Sequence, residues 1–173
     1  MCNIQDIHTH NHEAVNAIIN FDPTVDSFNL KNDKFYSVGI HPWNSSKADE
    51  FYLDKVSYYA ALPNFLAIGE TGIDTIKGGD IHNQINIFKF HVNLSENFNK
   101  PLIIHCVKAF NYIINLHNQF SPRQKWIIHG FRGKPQLAQQ LISHGLYLSF
   151  GKMFNQDSLY LAISNNKAFR ETD

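Results

Sequence analysis

One feature constrains this chain more than any other. Short apolar runs, each bounded by turn residues, recur along it and end repeatedly on a histidine or a carboxylate. Runs at 3–8 (NIQDIH), 17–21 (AIINF), 35–40 (FYSVGI), 65–70 (FLAIGE), 101–105 (PLIIH), 125–129 (KWIIH), 145–150 (GLYLSF) and 169–173 (FRETD) read as β-strands. Nearly continuous apolar strands are those buried on both faces of a sheet. Helical patterns separate most of the later runs. Residues 46–61 open with Ser46 and Asp49 in the spacing of a capping box. Residues 80–98 carry Ile81, Ile85, Phe88 and Val92 on one face, and residues 107–120 carry Phe110, Ile113, Ile114 and His117. Residues 135–144 begin with Pro135 and stop before Gly145, and a weaker pattern covers 156–166.

Strands alternating with helices predict an α/β fold with a parallel sheet, and eight strands predict a compact TIM-type (β/α)8 barrel over 1–173 as a single domain. Barrels of this kind usually need about 200 residues or more. The chain has 173, so it must economise. Residues 9–16 are too few for a full helix, and no residue follows the eighth strand. The first and last helices are therefore expected to be reduced or missing. The wall they leave bare is expected to be apolar and exposed, or covered in a homo-oligomer.

Composition narrows the function. Formal net charge is zero, which argues against a protein held on nucleic acid by bulk electrostatics but leaves room for local grip on a phosphate. No apolar run approaches the roughly 20 residues of a membrane span, so no membrane partner is expected. The start MCNIQDIHTH has no signal-peptide pattern, and Cys2 and Cys106 suggest no disulfide framework. A cytoplasmic location is the default reading.

The strand tips carry the chemistry. The first reads D-I-H-T-H, so His8 and His10 lie two apart and share a face. His41, Glu70, Asp74, His105, His129 and Asp173 stand at or just past other tips. In a parallel barrel those ends converge on one mouth, where the active sites of the fold lie. Burying several imidazoles with two carboxylates is costly unless a cation joins them. Mixed nitrogen and oxygen donors suit two divalent ions such as Mg²⁺, Mn²⁺ or Zn²⁺, with Glu70 able to bridge.

The ordered set D-I-H-T-H, G-I-H-P-W, I-G-E-T-G-I-D, P-L-I-I-H, I-I-H-G-F-R-G, L-S-F-G and E-T-D resembles the TatD family of metal-dependent deoxyribonucleases. The resemblance runs from the first strand to the last residue. It implies a barrel hydrolase with a two-metal centre acting on DNA phosphodiesters, at single-stranded ends, as a 3′→5′ exonuclease. His8, His10, Glu70, His105, His129 and Asp173 match the family's metal ligands. His41 matches its histidine near the substrate phosphate. Asp173 is then the general base, and His41 and His129 flank the phosphate. The chain departs from the pattern in three places. Val107 stands where the family often has arginine, Arg132 where it has serine, and family members normally continue past E-T-D. Lys108 or Arg132 is expected to restore the lost positive charge, with Lys134 and Lys152 as further candidates for a phosphate-attracting rim.

Other residues have quieter readings. Asp6 is expected to orient a histidine or water rather than bind an ion. Asp74 is expected to fix the loop 71–79 or position a ligand. Trp43 either stacks on a base at the rim or packs under its loop. Cys106 points away from the mouth as a packing residue, and His82, His91, His117 and His144 are solvent-facing or satisfied locally. Two rival functions stand beside the nuclease: a metallohydrolase of another ester, phosphomonoester or amide, and a non-catalytic shortened barrel.

Overall fold

The computed structural model describes residues 4–173; Cys2, and Asn3 with which the first run was expected to open, lie outside the described residues. All eight expected strands form. They are β1 Asp6–Thr9, β2 Ala17–Phe21, β3 Phe35–Val38, β4 Phe65–Asp74, β5 Leu102–Val107, β6 Trp126–Ile128, β7 Tyr147–Phe150 and β8 Ala168–Arg170. They pair in sequence order in one parallel sheet. The chain between strands must therefore cross from one end of the sheet to the other each time.

Five α-helices make those crossings after β3: α1 Glu50–Ala60, α2 Ile81–Phe98, α3 Phe110–Phe120, α4 Pro135–Ser143 and α5 Gln156–Ser164. No helix joins β1 to β2, as expected. None joins β2 to β3 either, a further economy that the strand count did not show. Segment 22–34 lacks a helical apolar repeat. Asp22 instead accepts hydrogen bonds from the Thr24 N–H and hydroxyl, and Lys31 N–H donates to the Tyr36 hydroxyl at 2.8 Å. Phe28 and Leu30 still pack on the core.

Two helix starts differ from the sequence pattern. Ser46 does not cap α1; it lies in a short 3-10 helix, Pro42–Lys47, and Asp49 caps α1 by accepting from Tyr52 N–H at 3.1 Å. α3 begins at Phe110, not 107, because β5 runs on to Val107, which pairs with Asp74. Lys108 then turns the chain with a φ of 53°.

The core has two parts. A large outer layer between sheet and helices includes Ile19, Phe21, Val38, Phe88, Val92, Leu102, Trp126 and Leu148. A small plug of Ile18, Ala67 and Ile103 fills the barrel axis. Alternation along β2 makes this clear: Ile19 and Phe21 face the helices, while Ile18 faces the axis and Asn20 sits above it, toward the mouth.

β1 and β8 close the ring without a sheet ladder. Thr172 N–H lies 3.3 Å from the His8 carbonyl and 3.1 Å from Asp6 Oδ1, and its hydroxyl donates to Asp6 Oδ2. The Asp6 carboxylate thus latches the tip beyond β8 to β1, and its Oδ1 also accepts from the His8 backbone N–H at 3.2 Å. The bare wall also differs from expectation. Alternation turns Arg170 and Thr172 outward, both exposed, while Ile7 is only 9% exposed. That face is polar at β8 and gives no support to an oligomer.

Candidate metal centre

Glu70 is the hub of the mouth. It is 3% exposed, and its backbone N–H donates to Asn20 Oδ1 at 2.8 Å. β4 gains one residue on β5 between Ile68 and Thr71, a bulge that re-aims the strand tip. Gly69 makes this possible. Its φ is +129°, and a Cβ there would lie 2.4 Å from the Ile103 carbonyl oxygen.

Five imidazoles converge on the Glu70 carboxylate. Oε1 lies 2.7 Å from His105 Nδ1, 2.8 Å from His129 Nε2 and 3.2 Å from His41 Nε2. Oε2 lies 3.3 Å from His8 Nε2 and 3.7 Å from His10 Nε2. The Asp173 side chain reaches the same place, with Oδ1 at 3.3 Å from His10 Nε2 and 3.6 Å from His8 Nε2. All seven expected ligand and phosphate-facing residues are thus brought together.

Three donor groups have atoms mutually within 4.8 Å: His8–His129–Asp173, His8–His10–Glu70 and His41–Glu70–His105. The His8 ring is fully buried, yet neither of its nitrogens has a hydrogen-bond partner. A buried imidazole in that condition is costly unless it ligates. The donor set and this orphaned ring both fit divalent cations.

The electrostatics agree. Burial by itself would raise the Glu70 pKa; the His129 charge and hydrogen bonds from His10, His105 and His129 overcome it and hold the group well below the usual carboxylate range. Burial would lower His129, but the Glu70 and Glu171 carboxylates push it up to about 10. The pocket is built to hold an anion at its centre and positive charge around it, the arrangement a bound cation completes.

Carboxylates stand behind two of the histidines. Asp74 Oδ2 is 3.4 Å from His105 Nε2 and accepts from Trp43 Nε1 at 2.6 Å, while Oδ1 accepts from the N–H groups of Ile76 and Lys77. Burial alone would raise its pKa, but these bonds lower it to about 2. Asp74 thus bonds the backbone of the loop after β4 and faces His105. Glu171, buried and bonded to the Ser149 hydroxyl, faces His129 Nδ1 at 3.7 Å. Trp43 is both anchored and open: its N–H is tied to Asp74, yet the residue is 50% exposed and Lys77 lies 4.7 Å above its ring.

Sequence reasoning missed Asn20, Asp22 and Glu171. The signal was the same alternation that identified His8 and His10. Asn20 and Asp22 lie two apart at the tip of β2, as Glu171 and Asp173 do beyond β8. Asp22 Oδ2 accepts from His41 N–H and from Asn44 Nδ2, both at 3.0 Å. Lys108 and Arg132 do not line the mouth with Glu70. Arg132 instead borders an adjacent cavity. Cys106 packs against the outer core, and burial pushes its thiol up to about 12. Among the four bystander histidines, His91 is fully buried, bonded to Ile87 and Ile40, and His82 is exposed.

The mouth is a cavity of about 320 Å³. No helix of the described residues is long and apolar enough to cross a membrane.

Comparison with known proteins agrees with this arrangement. The chain is 28% identical over 193 aligned positions to an uncharacterized metal-dependent hydrolase of Buchnera aphidicola, covering 99% of this chain and 73% of that one. It is 25% identical to the 3'-5' ssDNA/RNA exonuclease TatD of Escherichia coli, over 65% of this chain and 44% of that one. The crystal structure of a TatD family hydrolase from Entamoeba histolytica superposes with a TM-score of 0.73 at 21% identity, covering 91% of this chain and 60% of that one. The chain therefore spans from under half to about three quarters of the length of these relatives. The TatD related DNase profile matches residues 6–173, from Asp6 on β1 to Asp173 at the mouth, and the chain belongs to that family.

Proposed function

We propose that this chain hydrolyses phosphodiester bonds at single-stranded DNA ends, in the 3′→5′ direction, with two divalent ions. The convergence of His8, His10, His41, His105, His129 and Asp173 on the buried Glu70 carries the reading. The printed activity of the Escherichia coli relative supports the polarity and the substrate. The residues that would hold the ions are His8, His10, Glu70, His105, His129 and Asp173, and Glu70 belongs to two of the three donor groups. Mg²⁺, Mn²⁺ and Zn²⁺ all suit such a mixed set. Bound there, the ions supply Lewis-acid polarisation of the phosphoryl group and make the attacking water more acidic.

The protein's own groups divide the remaining work by exposure and hydrogen bonding. The Asp173 side chain is 34% exposed against 3% for Glu70. Asp173 is therefore the carboxylate with room to take a proton from water and pass it on to solvent. Glu70 stays anionic at the centre. His41 Nδ1 accepts from Trp43 N–H at 3.2 Å, so in the neutral ring Nε2 carries the hydrogen. Nε2 faces Glu70 and the mouth, where it can donate to a phosphate oxygen as charge develops. The open face of Trp43 beside that point suits a stacked base. The thiol of Cys106, free among the described residues, is consistent with a reducing, cytoplasmic setting.

An end-labelled single strand tests the reading. Hydrolysis should vanish in EDTA and return with Mg²⁺, Mn²⁺ or Zn²⁺, and bis-p-nitrophenyl phosphate should turn over faster than p-nitrophenyl phosphate. Undiminished cleavage by metal-free protein in chelator would overturn it.

A further inference from the structure

The main mouth is lined by Asp22, Asp26, Glu70 and Asp173 and by no lysine or arginine. Ions can offset that charge at the scissile phosphate. They do not help the next phosphate along a strand, which would meet a net acidic rim. The structure supplies cations elsewhere. A second cavity, of about 230 Å³, opens next to the mouth and shares Asp173 with it. Its walls carry Arg132, from the loop after β6, and Lys152, from the loop after β7. Neither side chain makes an ion pair among the described residues, since the charge pairs found there involve Lys31 and Arg123 and the mouth histidines. Lys108 does not line this cavity, nor does Lys134.

The cavity is lined by two carboxylates, Glu171 and Asp173, as well as by the two cations. Gly130 and Gly151 both border it, and Glu171, the acidic group beneath them, is already engaged by the Ser149 hydroxyl and His129. A Cβ at Gly130 would meet Glu171 Oε1 at 3.5 Å, and one at Gly151 would meet the same atom at 3.5 Å. The two glycines therefore leave backbone, not side chain, over the buried carboxylate. Spaces of this size hold a phosphate with room for its sugar edge.

We infer that Arg132 and Lys152 form a subsite for the phosphate that flanks the scissile one, so that the chain selects an oligonucleotide over a single diester. The inference rests on the proposed DNA-end hydrolysis and assigns polarity to its surface. The strand leaves the metal centre past Asp173 toward Arg132 and Lys152, and the base at the other side lies against Trp43. It also singles out Arg132, with Lys152 beside it, over Lys108 as the group that replaces the positive charge missing at Val107.

The test is a binding cycle read by fluorescence anisotropy with metal-loaded protein. The probes are labelled tetrathymidylate whose terminal link is an uncleavable, still anionic bridging methylenephosphonate, and the same molecule with one neutral methylphosphonate at the next link. Both are bound to the native chain and to the R132Q/K152Q double variant. Both side chains are exposed, so the variant should fold, and its melting curve checks that. Neutralising the flanking phosphate should weaken binding to the native chain about tenfold and to the variant by less than about twofold. The variant's log Kd against log salt slope should fall by about 0.7 for each phosphate it no longer neutralises. An equal cost on both proteins, an unchanged salt slope, or no binding of the probe to the native chain overturns the inference. If the cycle holds but no DNA is cleaved, the subsite stands and the catalytic reading fails. If DNA is cleaved and the cycle is flat, the subsite alone fails.

Discussion

His91 offers the sharpest test of how the fold supports the site. It lies on α2, fully buried, with both ring nitrogens committed. Ile40 N–H donates to Nε2 at 3.0 Å, and Nδ1 lies 2.7 Å from the Ile87 carbonyl. The ring must therefore be neutral, with its hydrogen on Nδ1. A proton on Nε2 would face the Ile40 N–H head on, with no water to receive the charge. Burial accordingly lowers the pKa from 6.5 to about 4. The sign follows. Between these values the unfolded chain binds a proton that the folded chain refuses, so stability is full above the unfolded value and drains away as pH falls toward the folded one. Integrating that uptake gives a loss of about 2 kcal/mol between about pH 7 and about pH 5, or about 1 M in urea midpoint for a chain of this size. The assay is urea unfolding at both pH values, in chelator so that metal release does not contribute. The comparison protein is H91Q, whose Oε1 can accept from Ile40 without titrating. Other titrating groups are common to both proteins and cancel. The native chain should lose about 2 kcal/mol more than H91Q on acidification. Parallel pH curves for the two proteins would refute the reasoning.

Three further outcomes are expected. D173N should lower kcat at least about a hundredfold while leaving the melting temperature nearly unchanged, because its side chain is one-third exposed and supplies chemistry rather than packing; circular dichroism melts and single-turnover rates check both halves. D6A should cost about 0.5–1.5 kcal/mol by removing the bonds from Thr172 N–H and its hydroxyl, and should also weaken metal binding, since the same bonds hold the chain that carries Asp173; urea titration and a metal titration measure these together. E171Q should reduce metal affinity about tenfold to a hundredfold by loosening the ring of His129, while His8 and His10 stay in place; isothermal titration with Zn²⁺ reads the change, and unaltered affinity would remove Glu171 from that role.

The barrel was legible because period and punctuation agree. Each run is too apolar and too short for anything but a buried strand, and Pro135 and Gly145 mark the ends of α4 as a helix needs. The ligands were legible for a second reason: imidazoles and carboxylates at the ends of apolar strands have no structural use that water would not serve better. What sequence hid was tertiary. Nothing local says that Asp6 reaches Thr172, 166 positions away, because that bond exists only after the ring has closed. Nothing local separates Lys108 from Arg132, since both follow a strand-end histidine by three residues. The fold separates them: both border a cavity that reaches His129, but only Arg132 also borders the one that shares Asp173 with the mouth. The capping of α1 was misplaced because Pro42 starts a 3-10 helix that consumes Ser46 before Asp49 can act.

The pattern of tethers explains how a barrel with two helix-free crossings can hold a seven-residue centre. Where a larger barrel would press helices against β1, β2 and β8, this one uses polar bonds from carboxylates and an amide at the strand ends. Asp6 draws the tip beyond β8 onto β1, Asn20 on β2 holds the Glu70 backbone, and Asp22 just past β2 holds that of His41. On the helix-covered side, β4 to β7, apolar packing does the same work through Phe88, Trp126 and Leu148. Each tether is an unpaired donor or acceptor if broken, so its loss costs more than its formation gains. Precision of the ligands on the thin side therefore comes from polar specificity instead of buried area. It follows that substitutions at Asn20 or Asp22, which hold the backbones of Glu70 and His41, should disturb the metal centre more than truncation of an apolar side chain of similar size under α3 or α4.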